Sequence, residues 1–154
     1  MINYYFAYGS NLNIEQMSRR CPNAEPIILK EPLYIPNWQL CFRGVADIEP
    51  CDQSLLPIGL WKITEDCEKA LDIYEGYPRL YSKIYFQMKI QNKKETILCY
   101  QMNSDRYSAP YQVYYDTILQ GYRDFNLDTK YLKQARRQTL SLKQDRKSTR
   151  LNSS

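Results

Sequence analysis

Two stretches of the chain carry residue types suited to chemistry. The first is Tyr5-Phe6-Ala7-Tyr8-Gly9-Ser10-Asn11-Leu12, an aromatic run that breaks into a Gly-Ser-Asn turn. Gly9 supplies backbone freedom, Ser10 and Asn11 favour turn conformations, and successive N–H groups in such a turn can converge on an anion. The second is Glu75, in Leu71-Asp72-Ile73-Tyr74-Glu75-Gly76-Tyr77. Surrounded by Tyr74, Tyr77 and Tyr81, a carboxylate can lose hydration and become basic enough to move protons near neutral pH. Each stretch also has an ordinary reading: a first strand with its turn, and a glutamate solvated at a helix end.

Composition narrows the chemistry. The 154 residues include no histidine, which removes the usual general base, the usual zinc ligand and the centre of any Ser-His or Cys-His pair. What remains are carboxylates, tyrosines, lysines and backbone groups. Tyrosine is abundant, 15 against 4 Phe and 2 Trp; its ring and hydroxyl suit the wall of a polar pocket, and equally the outer core. Cys21, Cys41, Cys51, Cys67 and Cys99 are odd in number, widely spaced and without a Cys-x-x-Cys pair. They read as reduced, partly buried thiols, with no metal site or disulfide framework.

The residues at the C-terminal end bear on the charge. Asp145 to Ser154, DRKSTRLNSS, read as the translation of a widely used DNA sequencing adapter, GAT CGG AAG AGC ACA CGT CTG AAC TCC AGT. The expectation is a single domain over 1–144 and a non-native tail over 145–154. Without Arg146, Lys147, Arg150 and Asp145 the chain has 18 basic and 16 acidic residues, so the net charge falls from +4 to +2. The pairs Arg19-Arg20, Lys93-Lys94 and Arg136-Arg137 are scattered and read as solvated surface, which leaves nucleic-acid binding without support. No apolar run is long enough to span a bilayer, and Met-Ile-Asn-Tyr-Tyr has neither region of a signal peptide. A soluble, cytoplasmic protein without a membrane partner is expected.

The elements that must position the two stretches follow from periodicity. Asn13 is a predicted N-cap for a short helix through Arg20, ended by Cys21-Pro22. Ala24 to Tyr34, with Pro26 and Pro32, suits an edge or irregular strand. Trp38 to Phe42 alternates as a strand, Val45 to Leu56 looks like a loop, and Pro57 to Ile63 reads as a buried strand. Thr64 caps a helix with Cys67, Ala70, Leu71 and Tyr74 on one face, stopped by Gly76. Ile84, Phe86, Met88 and Ile90 alternate in a strand over Leu80–Ile90 that turns back into Thr96–Met102. Tyr111 to Phe125 is a predicted helix with Tyr114, Ile118, Tyr122 and Phe125 on one stripe, and Asp128 caps a last one. This irregular order predicts α+β: a small, mixed, mostly antiparallel, barrel-like sheet flanked by helices.

The opening motif, Gly59-Leu60-Trp61, Leu71-Asp72-x-x-Glu75-Gly76, Tyr81, Leu98-Cys99-Tyr100-Gln101-Met102, Ser108-Ala109-Pro110 and the stretch from Tyr114 to Leu127 together resemble the γ-glutamylcyclotransferase family. The first motif is specific; the others gain weight from their order, which runs from about Tyr4 to Arg136. The resemblance implies a barrel-like α+β fold with a cavity, in which Glu75 is acid and base. It implies that Tyr5, Phe6, Ala7, Tyr8, Gly9 and Ser10 form the substrate-binding strand and turn, with Tyr114 a pocket tyrosine. Asn11, from the same turn, and Tyr81 complete the expected substrate site.

The reaction so implied suits a chain without histidine, because the substrate brings its own nucleophile. The free α-amine of a γ-glutamyl group attacks the γ-carbonyl, closing a five-membered lactam and releasing an amine. It needs no metal and no organic cofactor. The expected partner is a small γ-glutamyl compound, and a homodimer stays open. The leaving group also stays open between an amino acid and another amine such as a lysine derivative, as does a non-catalytic relative that keeps only the pocket.

Overall fold

A computed structural model describes residues 2–152, with side chains described as far as Leu142. The segment read as a non-native tail, 145–154, has its side chains outside the described residues. The elements are β1 (Tyr4–Ala7), a 3-10 turn (Ser10–Leu12), α1 (Ile14–Arg20), β2 (Glu25–Ile27), β3 (Leu33–Phe42), β4 (Ala46–Lys62), α2 (Glu65–Glu75), β5 (Tyr81–Ile90), β6 (Lys93–Met102), α3 (Gln112–Asp124) and α4 (Lys130–Asn152). No helix among the described residues is long and apolar enough to cross a membrane.

The six strands form a sheet in the order β2-β4-β1-β6-β5, with β3 paired to β4. Only β1 and β6 run parallel; the other pairings are antiparallel. The α+β class and the mostly antiparallel sheet agree with the sequence. So does the hairpin of β5 and β6, whose pairing runs without interruption from Tyr81↔Met102 to Ile90↔Lys93. Gln91 and Asn92 both take positive φ in its two-residue turn, the twist that such a turn requires.

One expectation is corrected. Val45 to Leu56 is not a loop: from Ala46 onward it is the first part of the 17-residue strand β4, paired to β3 from Phe42↔Ala46 to Leu33↔Ile58 across one register shift. Its polar residues suggested a loop, but several of them bond within the fold. Asp47 binds Arg43 and the Met102 amide, and Glu49 accepts from the Tyr107 hydroxyl. Buried polar groups with partners are compatible with a strand. The irregular strand read over Ala24–Tyr34 is likewise two pieces, β2 and the beginning of β3.

β1 lies at the centre of the sheet, flanked by β4 and β6. The main core packs around it, with Phe6, Leu12, Phe42, Ile48, Leu60, Trp61, Leu71, Leu98 and Tyr122 all withdrawn from water. The five cysteines are free thiols, and all except Cys51 are buried.

Candidate active site

The two chemical stretches are delivered by different elements to one cavity. β1 ends at Ala7, and the chain turns sharply through Gly9 into the 3-10 turn. A side chain at Gly9 would bring a Cβ to 3.0 Å from Ala46 Cβ and 3.4 Å from the Tyr114 hydroxyl, so the turn depends on glycine for close approach. The turn is pinned from below by Leu12, fully buried where Gly59 and Gly121 leave room: a Cβ on either would lie 2.5 Å from the Leu12 side chain. Its own bonds run from the Leu12 and Asn13 amides to the Gly9 and Ser10 carbonyls, at 2.9 and 3.0 Å. The amides of Ser10 and Asn11 open the turn and take no part in those bonds. Asn13 then caps α1, accepting from the Gln16 amide at 3.0 Å.

Glu75 is the last residue of α2. Thr64 starts the helix by accepting from the Cys67 amide, and Gly76 ends it in the left-handed region with φ 67°. Leu71 and Cys67 bury the inner face, and Glu75, one turn beyond Leu71, lies on that same face.

The cavity has a volume of about 260 Å³ and is lined by Tyr5, Tyr8, Gly9, Ser10, Asn11, Glu75, Tyr81, Tyr100 and Tyr114, with Val45, Ala46, Tyr74 and Leu80 completing it. Eight of the ten expected site residues therefore meet there. Phe6 and Ala7 do not line it. Phe6 points to the other side of the strand, 5.1 Å from Phe86 between ring centroids, and both are core residues. The cavity sits where the parallel strands β1 and β6 run side by side, with α2 and α3 closing it.

Electrostatics separate the glutamate from the phenols. Burial raises the Glu75 carboxyl to about 7; Arg20 opposes the shift and Asp47 adds to it. The carboxylate has no hydrogen-bond partner among the described residues. Burial also raises Tyr5, Tyr8, Tyr81, Tyr100 and Tyr114, which stay neutral phenols. Two are turned into donors by what they accept: Tyr5 Oη accepts from Asn11 Nδ2 at 3.0 Å, and Tyr114 Oη from the Ala46 amide at 2.8 Å. A phenol that already accepts has its proton left to give. Tyr8 donates to the Tyr100 carbonyl at 2.7 Å, and Tyr100 donates to Asp72 Oδ1 at 2.6 Å. The polar wall therefore offers several neutral donors and one carboxyl group that titrates near neutrality.

Sequence reasoning places Tyr74 beside Glu75 but misses Arg20, Tyr100 and Asp47. The sequence reads Arg19-Arg20 as a solvated pair, but Arg20 is half-buried and bonds to Asn11 Oδ1, to Ser10 Oγ at 3.4 Å and to Gln16 Oε1 at 2.9 Å. The signal was the buried Met17 three residues earlier, which puts Arg20 on the inner face of α1 and Arg19 outside. Asp47 was hidden by the loop reading. Tyr100 follows Cys99 in a strand buried on both faces, where alternation gives no clue.

The site is thus a small cavity on a mixed sheet, with one closed-in carboxyl group among phenols beside a glycine-dependent turn. The sequence places that pocket in a family: the model for gamma-glutamyl cyclotransferase, AIG2-like, matches residues 5–135, and the chain belongs to this family. Among curated proteins none gives a significant match. The chain resembles the solved structure of the human uncharacterized protein loc79017, with 24% identity over 86% of this chain and 85% of the other and a TM-score of 0.74. A structure named gamma-glutamyl cyclotransferase follows, with 23% identity, 86% and 85% coverage and a TM-score of 0.72. YkqA from Bacillus subtilis has 18% identity over 90% of this chain and 54% of that one, with a TM-score of 0.67. At these identities the likenesses speak for the fold.

Proposed function

We propose that the protein is a γ-glutamylcyclotransferase that converts a γ-glutamyl amino acid or amine to 5-oxoproline and the free amine, with Glu75 as acid and base. The observation that carries this reading is the Glu75 carboxyl, raised to about 7 and facing the same cavity as the Gly9–Asn11 turn. At neutral pH the substrate's α-nitrogen is an ammonium and cannot attack. Glu75, about half ionised there, takes one of its protons. The freed amine closes on the γ-carbonyl, forming the C–N bond of the lactam while the bond to the leaving nitrogen breaks. Two protons leave the α-nitrogen and two arrive on the leaving nitrogen, so conversion to 5-oxoproline and an ammonium balances and Glu75 ends as it began.

The rest of the cavity has the chemistry to hold such a substrate in its folded shape. The Ser10 and Asn11 amides and the Tyr5 and Tyr114 hydroxyls are donors for the α-carboxylate or for the oxygen that gains charge during attack. Because the nucleophile is already part of the substrate, holding amine and carbonyl together has only the internal rotors of the γ-glutamyl chain to fix. The test is a panel of γ-glutamyl dipeptides and γ-glutamyl amines assayed for 5-oxoproline, which also separates the leaving groups. Release from at least one member, abolished in Glu75→Gln while binding persists by calorimetry, is the expected result. No 5-oxoproline from any member, or near-wild-type turnover in the variant, overturns the reading.

A further inference from the structure

The last two residues of α1 are both arginines, and they differ in what neutralises them. Arg19 is exposed and pairs with Glu15 at 2.5 Å. Arg20 forms no ion pair among the described residues. Its Nη1 donates to Asn11 Oδ1 and, at 3.4 Å, to Ser10 Oγ; its Nη2 donates to Gln16 Oε1 at 2.9 Å; and its guanidinium lies 3.8 Å from the centroid of the Tyr74 ring. Every one of these partners is neutral, and three of the four line the cavity. Arginine remains charged at any working pH, and a half-buried charge with no ion pair among the described residues keeps much of its field.

We propose that Arg20 is a positioning residue of this site: its guanidinium braces the Ser10–Asn11 turn and the Tyr74 ring from behind the wall and supplies the positive charge that an anionic substrate group meets in the cavity. The proposal rests on the cyclotransferase reading and adds to it the residue that makes the pocket select a carboxylate-bearing γ-glutamyl head. The planar fork matters as well as the charge, since one guanidinium reaches Ser10, Asn11 and Gln16 while stacking on a ring, a combination a lysine ammonium cannot reproduce.

The same charge acts on Glu75. The groups that face Glu75 are Tyr5 from β1, Tyr8 just after it, Arg20 from α1, Asp47 from β4, Tyr81 from β5, Cys99 from β6 and Tyr114 from α3. The phenols and the Cys99 thiol are held neutral by burial, so Arg20 is the cation of this set and Asp47 its opposing anion. Removing the charge at position 20 therefore raises the proton affinity of Glu75, and a smaller fraction of it is ionised at neutral pH.

The experiment follows the side-chain carboxyl carbon of Glu75 by NMR through a pH titration, with Glu75→Gln giving the assignment. Wild type is expected to titrate near 7, Arg20→Gln at higher pH, and Arg20→Lys close to wild type. In turnover, Arg20→Gln is expected to raise KM several-fold and move the acid limb of the rate profile to higher pH; Arg20→Lys recovers the limb but only part of KM. Arg20→Met, which keeps an apolar stem on Tyr74, serves as the neutral variant if Arg20→Gln does not fold. A Glu75 titration unchanged in the neutral variant, or one displaced as far by lysine as by glutamine, overturns the proposal. If the wild type releases no 5-oxoproline yet Glu75 follows the charge at position 20, the cyclotransferase reading falls and the electrostatic role of Arg20 stands.

Discussion

Glu75 and Asp47 are both carboxylates taken out of water near the same cavity, and the fold treats them in opposite ways. Asp47 is 1% exposed, and both its oxygens are used: Oδ2 accepts from Arg43 Nε at 2.6 Å and Oδ1 from the Met102 amide at 2.9 Å. Burial raises its proton affinity, and those bonds pull it back. Glu75 is buried less completely, accepts from no group among the described residues, and faces open volume. A buried acid whose lone pairs are filled joins strands; one whose lone pairs are unspent keeps them for a group that enters the cavity, and on the cyclotransferase reading it is the reagent. What distinguishes the two carboxyl groups is therefore their remaining acceptor capacity.

The largest expected effect is on Glu75 itself. Glu75→Gln should lower turnover by about 10²–10⁴-fold, with an unchanged circular dichroism spectrum, and wild-type turnover should fall as pH drops through about 7. An equal loss of turnover and fold would erase the contrast. Asp47→Ala is expected to act the other way round: it takes the nearer counter-ion from Arg43, itself only 7% exposed at the side chain, leaves it Glu49 at 3.8 Å, and should cost about 3 kcal/mol in denaturant unfolding. If Asp47→Ala kept its stability and lost only activity, Asp47 would belong with the reagents.

Tyr114→Phe sharpens the comparison at lower amplitude. It leaves the Ala46 amide without its acceptor and removes a donor from the cavity, so a loss of about 1 kcal/mol in stability and a raised KM are expected together. The smallest effect is a slope. The Glu75 carboxyl is raised in the folded protein from an ordinary value of 4.5 to about 7, so its contribution to stability is full below about pH 4.5 and is lost as pH rises through about 7. The thermal midpoint of Glu75→Gln relative to wild type should accordingly increase across that window; a flat difference would mean that Glu75 is as hydrated as a surface glutamate.

The sequence was most legible where one face of an element meets water and the other does not. The strand Tyr81–Ile90 and the helix Glu65–Glu75 carry clean periodicities and are seen where they were read, with Thr64 and Gly76 at the helix ends. Legibility failed at Ala46 to Leu56, because Asp47 and Glu49 become strand residues only through Arg43, Met102 and Tyr107, partners that local pattern does not contain. The site follows the same rule. Tyr8, Gly9, Ser10 and Glu75 stand in motifs with local meaning, whereas Arg20 and Tyr100 acquire theirs from packing across the fold. Phe6 and Ala7 sit in the motif yet belong to the core, since a strand gives only some of its residues to any one surface.

The anchoring of the turn has a consequence for how the site comes into being during synthesis. Leu12 rests against Gly121, Asn13 holds the Thr117 carbonyl and the Ile14 amide holds Asp124, the last two contacts spanning 104 and 110 residues. Translation reaches the turn well before it reaches α3, so the turn lacks these supports until α3 has been made and docks. A protein truncated before α3 would carry every motif residue of the opening strand and of Glu75 and still have no rigid site.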